Sequence, residues 1–416
     1  MALPESAYYV GIDWGSAEHA VCVLTEAGRV KTEFTITHTA TGFADLARRL
    51  ARLGDAEAVP VAIERPDGRL VDLLLEAGHP VVPVKSNAIK VWRDAEVLSG
   101  AKSDPGDAMV IAEYLRLRHH KLSAARPFTG QTKALRTVVR TRDDVVRLRE
   151  MATNMLSALL DAFWPGAKTL FADVESPIAL DFLTRYPTPA SATALGEKRM
   201  AAFCAKHSYS GRRSPADLVR RLRSAPAGVT GEAETEAGRD AVIALVTVLR
   251  TVGTVKKDLD RSVNAHLGQH PDGHIFASLP RAGQVNAAQI LAEWGDSRTA
   301  YDGPDAIAAF AGVAPVTKAS GRMRGVSYRW ARNKRLRRAV TTFADNSRHE
   351  SAWAADIYQR ARARGRGLDH PHAVRVLARA WIRVIHRCWL NHEPYQPDRH
   401  GGLQRLTTPQ PLAQAV

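Results

Sequence analysis

Tyr8-Tyr9-Val10-Gly11-Ile12-Asp13-Trp14-Gly15 is a short run of β-forming residues that ends on a carboxylate. Ala20 to Leu24 and Val30 to Thr37 read as two further strands, the first of them joined to the opening run by a tight turn. Gly42 to Leu53 has helical spacing, with Phe43, Leu46, Leu50 and Leu53 apolar. Val59 to Ile63 reads as a buried strand, and the next residue is Glu64. Gly68 to Ala77 reads as a helix and Val81 to Val84 as a strand. Ser103 or Asp104 is placed to cap a helix running towards Arg118.

The resulting order, βββαβαβα, is what a ribonuclease H-like α/β fold requires. In that fold the first and fourth strands carry carboxylates side by side, and a late helix adds the rest. Asp13 and Glu64 follow the two strands, and Asp104 and Asp107 are three apart at a helix start, so they share one face. Four convergent carboxylates repel unless a cation sits among them. Mg²⁺, with Mn²⁺ as a substitute, would turn them into an oxygen cage suited to phosphodiester chemistry. The plainer reading makes Asp13 a turn residue and Asp104 a cap, with Asp67 and Asp94 as competing acids.

The 416-residue chain carries a net charge of +15, which points to a polyanionic partner ahead of an anionic membrane surface. That charge is uneven. Residues 1–125 hold 14 Lys and Arg against 17 Asp and Glu, a net of −3; residues 320–400 hold 18 against 6, a net of +12. Cys22, Cys204 and Cys388 are far apart and form no CxxC pair, so they read as reduced thiols in a cytosol. His119-His120, His370 and His372 lack cysteines at zinc-ligand spacing. The N-terminus has no signal-peptide pattern and no apolar run nears membrane-spanning length, so a cytoplasmic protein without a membrane partner is expected.

Residues from about 128 to 163 form one long helical pattern, whose apolar set includes Leu135, Val139, Leu148, Met151, Met155 and Leu160. A second runs from about 232 to 267. With a polar insertion between them they suggest an antiparallel helical arm, and a plain helical core domain is the rival reading. The expected division is 1–125, a nuclease-like domain; 126–270, the arm; 271–395, a mainly helical C-terminal domain; and 396–416, a disordered tail. Ile275 to Leu291 resembles a helix–hairpin–helix element, which offers backbone N–H groups to a DNA phosphate, although Arg281 stands where the usual hairpin has glycine. In the run from Arg322 to Arg338 eight cations occur without an acid, so a phosphate partner is favoured over a solvated helix face. Tyr328 and Trp330 lie among them; they could stack on bases, although core packing is the commoner fate of such aromatics.

Several segments together resemble the DEDD-type transposases of bacterial insertion sequences, the insertion-sequence 110 type related to the Piv invertases. They are Gly11-Ile-Asp13, Ala62-Ile-Glu64, Lys102-Ser-Asp104-Pro-Gly-Asp107-Ala, Leu279-Pro-x-x-Gly283, Phe310-Ala-Gly-Val-Ala-Pro315, Ser320-Gly321 and Arg332-Asn-Lys-Arg-Leu-Arg-Arg-Ala339. The resemblance implies a RuvC-like domain, a coiled-coil arm and a C-terminal transposase domain. It implies that Asp13, Glu64, Asp104 and Asp107 hold Mg²⁺ and that Ser320 is the nucleophile that attaches to DNA, with Ser327 as its rival. It also implies action as a dimer or tetramer on donor and target DNA, guided by a structured noncoding bridge RNA. Lys102, Arg281, Arg322, Arg324, Arg329, Arg332, Lys334, Arg335, Arg337 and Arg338 would then meet nucleic-acid phosphates. The alternative is a Holliday-junction-type or other nuclease that uses metal-activated water, with Ser320 only structural. An actin- or sugar-kinase-like ATPase is weaker, because Gly11-Ile-Asp-Trp-Gly-Ser has no second phosphate loop to accompany it, and no GxxxxGK[ST] loop occurs. A non-catalytic binder would gain nothing from clustered carboxylates facing DNA.

Overall fold

The computed structural model describes residues 3, 5–65, 67–96, 103–320, 323–327, 329–363 and 367–407. They divide into two compact units at Thr129/Gly130, with Ser297–Asp302 belonging to the first.

The first unit is built on β1 (Tyr8–Trp14), β2 (Glu18–Thr25), β3 (Val30–Thr37), α1 (Ala40–Ala51), β4 (Val61–Ile63), α2 (Arg69–Glu76), β5 (Val81–Pro83), α3 (Ser86–Glu96) and α4 (Asp104–Arg118). The expected element order is present, with α3 inserted before the last helix. The sheet order is β3-β2-β1-β4-β5; β1, β2 and β3 pair antiparallel, and β4 and β5 continue parallel to β1. Strand periodicity separates two apolar faces. Val10, Ile12, Val21, Val61 and Ile63 pack on Leu46 and Leu50 of α1 and Leu70 and Leu74 of α2. Tyr9, Ala62 and Val82 face Ile89 of α3 and Val110, Ile111 and Leu115 of α4.

The second unit opens on α5 (Gly130–Phe163) and contains α6 (Pro165–Leu170), α7 (Pro177–Arg185), α8 (Glu197–Lys206), α9 (Pro215–Ser224) and α10 (Glu232–Gln269). The two long helices run antiparallel. Thr132 Oγ1 lies 2.8 Å from His270 Nε2, Arg142 bonds Asp260 at 2.6 Å, and Phe163 covers Gly238. The four short helices form a separate apolar cluster around Leu160, Trp164, Phe182, Phe203 and Leu218 at the Phe163 end of the pair.

The remaining elements are α11 (Gly273–Ala277), α12 (Gly283–Trp294), α13 (Pro304–Phe310), β6 (Val316–Ser320), β7 (Met323–Ser327), α14 (Lys334–Ser347), α15 (Ala352–Ala363), α16 (His370–Asn391) and α17 (Gly401–Thr407). Trp294, Phe343, Trp381 and Trp389 anchor their core. The stretch after 395, expected to be disordered, is helical over Pro397–Arg399 and α17, and 408–416 lie outside the described residues. Its anchors explain this: the Tyr395 amide donates to Ser278 Oγ at 2.7 Å, and His400 packs on Trp353 with ring centroids 4.5 Å apart. Among the described residues no helix is long and apolar enough to cross a membrane. All three cysteines are free thiols.

Candidate active site and basic face

Asp13 and Glu64 reach the same sheet edge by register. Ile12 pairs with Ile63 across the parallel β1 and β4, so Asp13 and Glu64 occupy the next positions on adjacent strands. Alternation puts Asp13 on the face of Tyr9 and Gly11, and Glu64 on the face of Ala62, which is the side that α3 and α4 cover. Gly11 sets how closely α4 approaches. A Cβ there would lie 2.2 Å from the Ala108 carbonyl oxygen and 2.4 Å from the Ala112 nitrogen. Helix backbone therefore rests directly on strand backbone.

This contact brings the first turn of α4 to the same edge. Leu115 and Ile111 pack on the Tyr9 side while Ala108 sits at Gly11, so α4 runs antiparallel to β1. From Gly11 to Asp13 the strand advances about 7 Å. From Ala108 back to Asp104 the helix advances about 6 Å. Asp104 thus lies near the level of Asp13, and Asp107, three residues further along α4, lies between the levels of Gly11 and Asp13. Ser103, not Asp104, is the cap: its hydroxyl accepts from the Gly106 amide at 3.2 Å. Asp104 is exposed at the first helical position, and Asp107 is 9% exposed. Asp13 lies inside β1 rather than in a turn.

A cation from α3, which the sequence reasoning did not identify, enters this edge. Arg93 Nη1 donates to Asp107 Oδ1 at 2.6 Å. Asp107 first, then Asp94 and Glu64, hold the Arg93 guanidinium above its ordinary value. Among the described residues no three His, Cys, Asp or Glu side chains are grouped to hold a metal ion as they stand. The four acids do not form the closed cage that was expected, and Asp107 bonds Arg93 instead. The donor set itself is all carboxylate oxygen, the chemistry that Mg²⁺ prefers, and the guanidinium already answers the edge's need for positive charge. Of the competing acids, Asp67 bonds Arg65 at 3.3 Å in the open, and Asp94 lies on α3 beside Arg93.

Behind the edge a histidine pair braces the β1–β2 turn. His19, opposite Trp14, is fully buried, and its pKa is lowered by burial and then by His38. The Gly15 amide donates to His19 Nδ1 at 3.3 Å, so Nε2 carries the proton that it donates to His38 Nδ1 at 2.8 Å. Arg65, next to Glu64, lies over the Trp14 ring at 4.2 Å.

In the second unit Ser320 is the last residue of β6, pairs with Met323 and is exposed. Ser327 pairs with Val316 at the other end of the hairpin, about 13 Å along the strand, and donates to the Val316 carbonyl at 3.4 Å. Gly321, Arg322, Tyr328 and Lys102 lie outside the described residues. Arg324 lies in β7.

The basic tract is less bare than its sequence. Arg335 pairs with Asp144 at 3.3 Å and Arg338 with the buried Asp143 at 2.5 Å, both acids coming from α5. Arg329 Nε donates to the Ala314 carbonyl, and Arg332 to the carbonyls of Arg329 and Trp330. Lys334 is exposed at the start of α14, and Arg337, beside Arg375, is pushed below its ordinary value by burial first and that like charge second. Asn333 caps α14 by accepting from the Arg335 and Leu336 amides, both at 3.0 Å. Its Nδ2 donates at 2.8 Å to Glu293, a carboxylate only 3% exposed. Burial alone would raise the Glu293 pKa; Arg140 at 2.8 Å, Arg136 and Asn333 outweigh it and hold the group below its ordinary value. Trp330, expected in a core, is instead 79% exposed. Arg281 takes φ +54, the left-handed conformation that glycine adopts freely, in the exposed turn between α11 and α12. The arginine thus keeps a glycine-like backbone there, at a cost of about 1 kcal/mol.

Comparison with known proteins agrees with this anatomy. Residues 10–165 match a family model described as a transposase of the DEDD, IS110 type, and residues 273–359 match the model for the transposase IS116/IS110/IS902 family. The chain is similar to the "Mini-circle putative transposase for IS117" of Streptomyces coelicolor, with 32% identity over 94% of this chain and 96% of the relative. It is also similar to the uncharacterized 42 kDa protein of insertion element IS900 from Mycobacterium paratuberculosis, at 26% over 94% and 97%. The uncharacterized 44.8 kDa protein of IS116 from Streptomyces clavuligerus is 28% identical over 92% and 95%. By sequence along nearly its whole length, this chain belongs to the IS116/IS110/IS902 family of transposases.

Proposed function

We propose that this transposase cuts and rejoins DNA through two chemical groups: a carboxylate edge that holds Mg²⁺ and a serine that carries the DNA strand. The observations that support the proposal are the Ile12–Ile63 pairing, which sets Asp13 and Glu64 at adjacent positions, and the close approach of α4, which carries Asp104 and Asp107, to Gly11. The sheet order β3-β2-β1-β4-β5 supports a RuvC-like, ribonuclease H-type domain. These four carboxylates would hold the metal, whose chemistry is to neutralise charge on the scissile phosphate. Arg93 would leave Asp107 as the divalent ion arrives, since one cation replaces another.

Ser320 at a hairpin tip is open to a phosphate, whereas Ser327 is tied to the Val316 carbonyl. Its Oγ would bond to phosphorus as the bond to the leaving DNA oxygen breaks, and that oxygen takes up the proton lost by the serine. The phosphoserine keeps the phosphodiester bond energy, so rejoining needs no nucleotide. The exposed turn at Arg281 and the cations around α14 would contact phosphates, with base pairing to a structured guide RNA supplying sequence choice. Leu148, Met151 and Met155 on α5 and Val248 and Val255 on α10 are exposed apolar residues on the long helix pair, suited to a homo-oligomer.

The test is cleavage of supercoiled plasmid carrying the element's ends, with added noncoding RNA and Mg²⁺. Asp13→Asn should abolish cleavage. Ser320→Ala should do the same; cleavage that persists in Ser320→Ala and leaves free ends would mean metal-activated water is the nucleophile instead.

A further inference from the structure

We propose that Trp330 is a stacking platform for an unpaired nucleobase. The inference rests on the nucleic-acid reading of the basic tract above and assigns one residue to one kind of contact. Trp330 is 79% exposed, whereas Trp164, Trp294, Trp381 and Trp389 are all buried. An indole with most of its surface exposed beside Arg332 suits a partner that is both flat and anionic, and a nucleotide in a single strand is both.

The platform is held firmly. Arg332 Nη1 donates to the carbonyls of Arg329 and Trp330 at 3.2 and 2.9 Å, and its guanidinium lies 5.7 Å from the Trp330 ring centre. The Arg332 stem lies on Gly312, where φ is +71 and a Cβ would come within 2.4 Å of Arg332 Cδ. Arg329 Nε reaches the Ala314 carbonyl at 3.3 Å, and the Asn333 amide reaches the Phe310 carbonyl at 2.8 Å. Asn333 in turn is bonded to the buried Glu293. A rigid backbone with an aromatic of two torsions loses little entropy on stacking. Duplex DNA keeps its bases stacked inside, so the contact selects single strands, looped RNA or flipped bases.

The experiment compares wild type, Trp330→Ala and Trp330→Phe for binding of a labelled homothymidine strand and of a duplex of the same length, by fluorescence anisotropy across a salt series. Trp330→Ala should lose roughly ten- to a hundredfold for the single strand. It should keep its duplex affinity and its salt slope, because no phosphate contact is removed. Trp330→Phe should retain most of the single-strand affinity, and tryptophan emission quenched by the strand in wild type should be unquenched in that variant. Unchanged single-strand binding by Trp330→Ala, or an equal loss for both probes, overturns the stacking role alone. A wild-type protein that binds neither probe overturns the nucleic-acid reading of the tract, and this role with it.

Discussion

The acidic edge of the first unit and the basic tract of the second neutralise themselves in opposite proportions. At the edge, among the described residues, the Arg93 guanidinium bonds Asp107 and also feels the charges of Asp94 and Glu64. In the tract two carboxylates from α5, Asp143 and Asp144, serve two of many arginines. By sequence each region has an excess of its own sign, a net of −3 over residues 1–125 and of +12 over residues 320–400. A carboxylate edge suits a cation and a basic tract suits an anion, and these are the two things a DNA-cutting enzyme must bind. The exposed Arg335–Asp144 pair is worth about 1 kcal/mol or less, so it can be exchanged for a better partner.

The largest expected effect comes from removing charge at the edge. Asp13→Asn or Asp107→Asn should lower cleavage by about a thousandfold with DNA affinity retained, measured by plasmid cleavage beside anisotropy. Loss of affinity in step with cleavage would show that the edge binds rather than reacts. Next is Glu293, which supports the tract from inside. Glu293→Ala leaves Arg140 and Arg136 facing an empty buried position and should cost about 3–5 kcal/mol in urea unfolding.

The same carboxylate sets an acid limit. Its folded pKa lies below the ordinary glutamate value of 4.5. Its contribution is therefore present above that value and lost as pH falls through the lower folded one. Glu293→Gln should flatten that part of the stability profile. A smaller effect is expected at Gly11. Gly11→Ala should shift α4 from β1, lowering stability by about 1–3 kcal/mol and cleavage more than DNA binding. Smallest is Asp144→Asn, which releases Arg335 and Arg147 and should steepen the logarithmic salt dependence of DNA binding by about 1 for each freed cation. An unchanged slope would mean that those arginines face away from the phosphates.

Much of the first unit was legible because its strands are short, apolar and ended by turn residues, so each period is clear. That Asp13 and Glu64 follow neighbouring strands was expected from the ribonuclease H-like strand order, and the Ile12–Ile63 pairing gives their register. Gly11 was not legible as a packing residue, since a glycine after Tyr-Tyr-Val also fits a bulge or a turn. Arg93 was missed because its partner lies fourteen residues on, in another helix. Asp143 and Asp144 were missed as partners of the tract because they stand far from it in sequence, 191 residues in the case of Asp144 and Arg335. Trp330 among cations reads first as a core residue, with base stacking as the rarer alternative, and only packing separates the two. Ser320 had no local signal beyond Ser-Gly, and its role still rests on the family resemblance and its place at the hairpin tip.

The most direct test of the account is to trap the reaction in denaturant and map the protein–DNA adduct by peptide mass spectrometry. The account predicts a nucleotide linked to Ser320, formed only with a divalent ion and absent from Asp13→Asn. An adduct on any other residue, or complete strand cleavage with no adduct at all, would contradict it.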